Sequence, residues 1–419
     1  MYGTILDCEY LSTRIHVTLN IVYRGVAMPL PEFFQFHSPT RVVYGAGLAR
    51  DISTECSSLG ATKYFIVSDR TIHEAGLVKP VIEGLSTDGI DISGTFFDVT
   101  QDSELAIVTE VANRARESGA EGLIAIGGGS VIDTAKGANI VFSEGGDLVE
   151  DYSGTGTLTR PLKPFVVIPT TAGTGSECTL AAVIYDRENK TKLSFTDRYL
   201  LPSIAVLDPE MTLTLPPALT ASTGMDALTH AIEASVGIDA SPLSDILAFG
   251  AIELIFKNLV TAVTDANDIE ARGAMLIAAN MAGIAFSHSM VGCVHAMAHT
   301  VGAHFRVPHG VANAILLPHG MEYNIEEGKE KFAKMAPLMG VATAGLSMDD
   351  GAKGAIEAVR NLTSQLNGLG ILPIRLRDAG VPSEALPHIA DMSIEDGSSF
   401  YNPREMAAED LLVHLKNAY

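Results

Sequence analysis

Tryptophan is absent from this 419-residue chain, aromatic residues make up only 6%, and there are four cysteines. Cys8, Cys56, Cys178 and Cys293 stand far apart with no CxxC pair. That spacing excludes a disulfide framework and makes a reducing cytoplasm the expected location. Basic charge is also scarce: 28 Lys and Arg against 50 Asp and Glu leave a formal net charge of −22. Such a surface argues against nucleic acid or an anionic membrane as partner. No run of eighteen uninterrupted apolar residues occurs, so no bilayer span is expected.

What is present is a large apolar fraction, 47%, with 19% charged residues and many small side chains. This composition predicts a sizeable core of closely packed helices and Gly-rich turns, and the length predicts two domains. The first 33 residues fit neither. They carry Asp7 and Glu9, lack a small-residue cleavage site and do not read as a secretory signal, whereas "MPLPEFFQFHSPTRVVYGAG" from Met28 reads as a natural beginning. Residues 1–33 are therefore expected to be an extension, for which a mis-assigned start codon is preferred over a genuine appendage.

From about residue 34 to 210, short apolar runs alternate with helical patterns. "KYFIVSD" (63–69), "GLIAIGGGS" (122–130), "KPFVVIPTTAGTGSE" (163–177) and "PSIAVLDP" (202–209) are apolar throughout and end in polar or Gly punctuation. Separated by stretches such as "SELAIVTEVANRARESG" (103–119), they predict a parallel sheet covered by helices on both faces. After "LDPEMTLTLPPALT" (207–220) the texture becomes helical, with Pro216, Pro217 and Pro242 placed where helices start. The expected fold is an α/β dinucleotide-binding domain with a parallel sheet, 34–210, followed by an all-α domain, 211–419.

Two loops of the first half bear chemistry. "GLIAIGGGSVIDTAK" (122–136) is a strand, then Gly127, Gly128, Gly129 and Ser130, then a helix. Bare backbone N–H groups at such a helix start attract phosphate oxygens, although the pattern is not GxGxxG and equally describes an ordinary turn. "PTTAGTGSE" (169–177) follows another strand and offers Thr170, Thr171, Thr174 and Ser176. Two loops of this kind at strand carboxyl ends form a crevice suited to a dinucleotide. Asp69, closing "YFIVSD", is placed to accept from an adenosine ribose and repel a 2′-phosphate, or simply to cap a helix.

The second half concentrates imidazoles. "CVHAMAHTVGAHFRVPHG" (293–310) holds four histidines among small apolar residues. His295 and His299 share a helix face, while His309 follows Pro308, where the chain is expected to turn. Asp226 and His230 in "GMDALTHAIE" (224–233) are also four apart, with apolar neighbours. A buried polar group without a partner costs roughly 2–7 kcal/mol, so a shared partner is needed. One carboxylate and three imidazoles (Asp226, His230, His295, His309) suit a divalent first-row ion with a position left open, and the set does not separate Fe²⁺ from Zn²⁺. His299 remains as a proton carrier, and His304, His288 and His319 read as packing or surface residues.

These motifs, with "FHSPTRVVYGAG" (36–47) and "GCVHAMAHTVGAHFRVPHGVANAILLPH" (292–319), resemble the iron-containing (group III) alcohol dehydrogenases over nine-tenths of the chain. The resemblance implies metal ligation by Asp226, His230, His295 and His309, and proton transfer by His299. It implies NAD contacts at Gly127–Ser130, Thr170–Ser176 and Lys192, and exclusion of NADP by Asp69. Ala181, Phe286 and Val291 match the alcohol pocket, and two small side chains there leave room beyond a two- or three-carbon substrate. The implied activity is hydride transfer between a primary alcohol and NAD in a cytoplasmic homodimer or larger oligomer. A hydroxyacid–oxoacid transhydrogenase or another polyol or hydroxy-acid dehydrogenase is the alternative, and a non-catalytic metal- or nucleotide-binding protein a remote one. "VTQDSE" (99–104) departs from the family, which often has an Asn-Pro pair there, and this places one cofactor contact in doubt.

Overall fold

The structure is a computed structural model that describes residues 31–189 and 191–419. Residues 1–30, which hold nearly all of the expected extension, lie outside the described residues. Gln35–Tyr419 is one compact unit, separate from Met1–Phe34. Residues 31–34, the described part of the latter, include no helix or strand.

The first half runs β1 (Arg41–Tyr44), α1 (Ser53–Ser57), β2 (Lys63–Ser68), α2 (Arg70–Glu74), α3 (Val78–Thr87), β3 (Asp91–Phe96), α4 (Leu105–Glu117), β4 (Gly122–Gly127) and α5 (Gly129–Glu144). It continues with α6 (Leu148–Tyr152), β5 (Gly154–Thr155), β6 (Phe165–Pro169), β7 (Ala181–Asp186), β8 (Thr191–Thr196) and β9 (Ile204–Leu207). Six strands form one parallel sheet in the order β1-β9-β6-β4-β2-β3. The inner strands are buried along almost their whole length, because side chains alternate between two cores. Tyr64, Ile66, Ile124, Ile126, Val166 and Ile168 enter one, and Phe65, Val67, Leu123, Ala125 and Val167 the other.

From β2 the chain moves out to edge strand β3 and returns as β4 on the other side of β2. The order therefore reverses between β2 and β4, the place where ligands bind in open α/β sheets. Asp69 and the Gly127–Ser130 turn follow these two strands directly. One feature departs from the purely parallel expectation. β7 and β8 form an antiparallel hairpin that joins β5 in a separate three-stranded sheet. Its burial alternates along β7, so it covers the domain on one face only.

After β9, among the described residues, every named element is helical. α7 (Pro217–Val236) and α8 (Pro242–Thr264) start at the expected prolines, followed by α9 (Ile269–Ser289), α10 (Cys293–Phe305) and α11 (His309–Tyr323). α12 (Ile325–Met335), α13 (Met348–Gly368), α14 (Leu386–Glu395) and α15 (Ala408–Asn417) complete the bundle. α8 and α9 are long and apolar enough to cross a bilayer, yet both supply inward faces to the helical core, through Ala248, Ile252, Ile255 and Leu259 and through Met275, Ala278 and Ala282. Arg306 takes a left-handed conformation (φ 57°) after α10, and Pro308 then opens α11. That sharp reversal brings His309 back beside His295.

The halves meet where the loop after β6 descends onto α9. Gly175, at φ 62°, lies so close that a Cβ there would stand 2.7 Å from the Gly283 Cα. Below it Glu177 accepts from the Asn280 amide at 3.0 Å, and Cys178 Sγ reaches the Asn280 carbonyl at 3.2 Å. A side chain at Gly283 would meet Cys178 Sγ at 2.7 Å and the Gly175 backbone at 2.9 Å. Gly283→Ala is expected to destabilise the protein by about 1–3 kcal/mol through overpacking, measured by urea unfolding, and to lower dinucleotide affinity through displacement of the loop, measured by titration calorimetry.

Candidate active site

α7 carries Asp226, His230 and Glu233 at helical spacing on one buried face. α10 brings His295 and His299, and the first turn of α11 brings His309 and Asn313. Ligand atoms of Asp226, His230 and His295 all lie within 4.8 Å of one another. His295 Nε2 stands 3.8 Å and His309 Nε2 3.5 Å from Asp226 Oδ1. The rings pack face to face or tilted: His230 on His295 with centroids at 4.6 Å, His295 against His309 at 5.3 Å.

Burial works to raise the Asp226 carboxyl, but the surrounding imidazoles and the Asn313 hydrogen bond outweigh it and hold it below the ordinary range. Burial pulls His295 and His309 well below the usual histidine value. An ionised carboxylate thus faces imidazole rings brought in from three helices. Among the described residues, the 3%-exposed Asp226 has no Lys or Arg partner, only the amide of Asn313 at 2.7 Å and the imidazole nitrogens. Among the same residues His230 Nδ1 is buried without a partner. A buried carboxylate is costly unless a cation completes it. The residues present therefore fit a divalent ion held by one oxygen and three nitrogens.

Three neighbours had no place in the sequence expectations. Glu233 accepts from His295 Nδ1 at 2.6 Å and from the Val294 N–H at 2.6 Å, and burial pushes its carboxyl up to about 7. Asn313 Nδ2 lies 3.3 Å from His295 Nε2 and 3.2 Å from His309 Nε2. Asp396 Oδ2 is 2.9 Å from His299 Nδ1 and its other oxygen accepts from Ser398 N–H. Glu233 and Asn313 had a signal, since each lies three or four residues beyond an expected ligand on its own helix. Asp396, 97 residues from His299, had none.

His299 is 43% exposed at its side chain, stacks on His309 at 5.4 Å, and so connects the cluster with solvent. Phe286 packs flat on His230 at 4.3 Å and gives the cluster an apolar wall. Ala181 opens β7 and Val291 lies in the connector between α9 and α10. His288 accepts the His37 N–H at 2.9 Å, His304 meets the ring of His388, and His319 is largely buried away from the cluster.

The Gly127–Ser130 turn and the Thr170–Ser176 loop interlock. A Cβ on Gly129 would meet the Thr174 side chain at 2.8 Å, and one on Gly128 the Thr171 side chain at 3.1 Å. The Thr170 N–H donates to the Gly127 carbonyl at 3.0 Å. Ser130 Oγ is engaged by the Gln101 carbonyl, inside the segment that departs from the family pattern. Ser176 turns inward and donates to Asp133 at 2.6 Å. Lys192 stands 4.0 Å from Asp102. Asp69 caps α2 through the Ile72 N–H at 2.9 Å, a role that occupies one carboxylate oxygen. Beneath the loops Lys136 is fully buried, donates to Thr179 and Ala181, and is brought down to about 8 by burial.

Comparison with known proteins agrees with this arrangement. Residues 39–209 match the family model "Iron-containing alcohol dehydrogenase", and residues 220–419 match "Fe-containing alcohol dehydrogenase family, C-terminal". The chain belongs to the iron-containing alcohol dehydrogenase family. It is 38% identical to 1,3-propanediol dehydrogenase of Klebsiella pneumoniae, over 93% of this chain and 99% of that one. It is 37% identical to the NAD-dependent methanol dehydrogenase of Bacillus methanolicus, over 91% and 99%. Among solved structures, 1,3-propanediol oxidoreductase superposes with a TM-score of 0.89 at 38% identity, covering 93% of this chain and 100% of that one. The alcohol dehydrogenase from Oenococcus oeni gives 0.88 at 35%, covering 92% and 100%. This chain is accordingly an oxidoreductase that interconverts alcohols and aldehydes.

Removal of the ion should leave Asp226 buried without its cation. Chelator treatment is expected to lower the unfolding temperature of the wild type, with about 3 kcal/mol at stake when free ion stands 100-fold above its dissociation constant. Asp226→Asn is expected to unfold at the same temperature with and without chelator in differential scanning calorimetry.

Proposed function

We propose that this enzyme transfers hydride between a primary alcohol and NAD(H), with Asp226, His230, His295 and His309 holding Fe²⁺, or Zn²⁺ in its place. The observation that carries the reading is the meeting of one buried, ionised carboxylate with three imidazoles in a single cluster. When bound, the ion supplies Lewis acidity toward the alcohol oxygen and the nicotinamide supplies the hydride chemistry.

The chain's own residues orient, shield and move the proton. Gly127–Ser130 and the Thr170–Thr174 loop cradle the pyrophosphate with backbone N–H groups and hydroxyls, at the point where strand order reverses. Lys192 approaches from β8. Asp69 keeps one carboxylate oxygen free of its cap for a ribose and disfavours a 2′-phosphate. Phe286, lying on His230, excludes water from the reacting carbon, and Ala181 and Val291 leave space for an alcohol longer than three carbons. His299 takes the hydroxyl proton at Nε2 and gives it to solvent, its ring held by Asp396.

A division near residue 210 places the dinucleotide on the sheet and the ion on the helices. A cytoplasmic homodimer or larger oligomer, with no nucleic-acid or membrane partner, completes the reading.

Metal analysis of anaerobically purified protein, with a panel of alcohols and aldehydes assayed with NAD(H) and NADP(H), tests it. About one equivalent of iron or zinc and steady consumption of added NAD are expected. Turnover only by recycling of bound cofactor would show a transhydrogenase instead. His299→Ala is expected to lower kcat by about 10²-fold or more with metal content unchanged, whereas loss of the metal would make His299 a support for His295. Asp69→Ser is expected to raise kcat/KM with NADP relative to NAD, since a hydroxyl still caps α2 without repelling phosphate.

A further inference from the structure

Glu233 is the second buried carboxylate of the cluster, 3% exposed, and it does more than close a helix end. Three N–H groups converge on its two oxygens. The Val294 amide donates to Oε1 at 2.6 Å, and the His295 ring and His295 amide reach Oε2 at 2.6 Å and 3.4 Å. α10 is preceded by Gly292, which supplies no side-chain cap of its own. Its first amides are satisfied from elsewhere: Cys293 N–H by Asn402 Oδ1 at 3.1 Å, Val294 and His295 by Glu233. A Cβ on Gly292 would stand 2.7 Å from Asn402 Oδ1 and 3.3 Å from Glu233 Oε1, so the bare backbone is what admits the carboxylate.

We propose that Glu233 is a positioning residue that fixes the His295 tautomer, taking the Nδ1 proton in a hydrogen bond and leaving Nε2 as a bare lone pair turned toward Asp226. This rests on the reading of His295 as a metal ligand. A second contact is compatible with the same tautomer. The Asn313 amide nitrogen lies 3.3 Å from His295 Nε2, 3.2 Å from His309 Nε2 and 2.7 Å from Asp226 Oδ1, so its two hydrogens are shared among three acceptors. The orientation of that amide is set by Asp226, 2.7 Å from the same nitrogen; the reverse orientation would put two oxygens in contact. The ring is thus read from both sides, by an acceptor at Nδ1 and a donor at Nε2. Outer partners of this kind raise ligand basicity and hold ring orientation. The arrangement also couples ring placement to helix placement, since one carboxylate grips the ring and the turn of backbone that carries it.

Two measurements test this on the full-length protein. In metal-free wild type labelled with ring-¹⁵N histidine, the His295 signal, assigned by its loss in His295→Gln, should show the Nδ1–H tautomer; an Nε2–H tautomer overturns the proposal. In competition with a chelator for Fe²⁺ or Zn²⁺, Glu233→Gln should bind about 10- to 100-fold more weakly than wild type, because one amide cannot accept from both the ring and the Val294 N–H. Asn402→Ala removes the neighbouring cap without touching the ring, and its affinity should stay within a few-fold of wild type. Wild-type affinity in Glu233→Gln, or an equal loss in both variants, overturns the proposal. If Glu233→Gln does not fold, the tautomer alone decides. A wild type that binds neither ion defeats the ligand reading of His295, while the tautomer result still judges Glu233.

Discussion

The structure depends on one buried charge. Asp226 sits in the middle of α7 with no Lys or Arg as counter-ion among the described residues, and an isolated carboxylate there would protonate before it stayed charged. Everything around it works against that outcome. Three imidazoles approach from α7, α10 and α11, and Asn313 donates directly to it. Elements from three separated stretches must therefore end within a few ångströms of one point. The sharp turn at Arg306 and Pro308, the in-trans cap of α10 and the burial of nearly the whole of α7 are consequences of that requirement. They are also what gives the cluster its rigidity.

The same economy explains the seam between the halves. In the proposed reading, a dinucleotide laid across the ends of β2 and β4 reaches the metal cluster only if the sheet's loops lie directly on the helices. Gly175 against Gly283, and Gly128 and Gly129 against the threonines of the next loop, bring backbone to within van der Waals contact, where side chains would hold it apart. Underneath, burial raises the carboxyls of Glu177 and Asp133 and lowers Lys136. These groups remain satisfied by hydrogen bonds to Asn280, Ser176, Val183 and Thr179. The seam is polar and largely buried, and a network of this kind specifies one arrangement more sharply than apolar packing does.

How far the sequence could be read follows from the length scale of each interaction. The parallel sheet was legible because strands buried on both faces must be apolar throughout, and the helical half because its prolines and periodicity are local. Asp226 with His230, and His295 with His299, were legible through the four-residue helical repeat. Glu233 and Asn313 obey the same repeat relative to His230 and His309, yet a Glu or Asn on a helix carries no mark of burial until the partner helix is in place. Asp396 could not be inferred at all: its link to His299 is made by tertiary folding alone. The β7–β8 hairpin was hidden for a related reason. Its second strand opens with two exposed polar residues, Thr191 and Lys192, and looks locally like a polar loop following the Thr-rich segment. Ser176 was placed in the crevice by its neighbours' composition, whereas the tight turn of Gly175 rotates it inward to Asp133.

The character of the ion follows from what is kept out of the cluster. Cys293 precedes His295 by two residues, and a thiolate among the ligands would favour soft ions. Two residues along an α-helix is a rotation of about 200°, so the sulfur points away from the imidazole. It contacts the Gly320 carbonyl and the Asn324 amide instead, and burial pushes the thiol far above its usual value. It stays a neutral packing group. What remains in the proposed ligand set is one hard oxygen and three borderline nitrogens. That set binds ferrous and zinc ions alike, and geometry and availability, rather than ligand softness, decide between them. The helical repeat that gathers the imidazoles is thus the same feature that excludes the sulfur, and the preference for a redox-inert or ferrous Lewis acid over a soft metal is written into the two-residue step between Cys293 and His295.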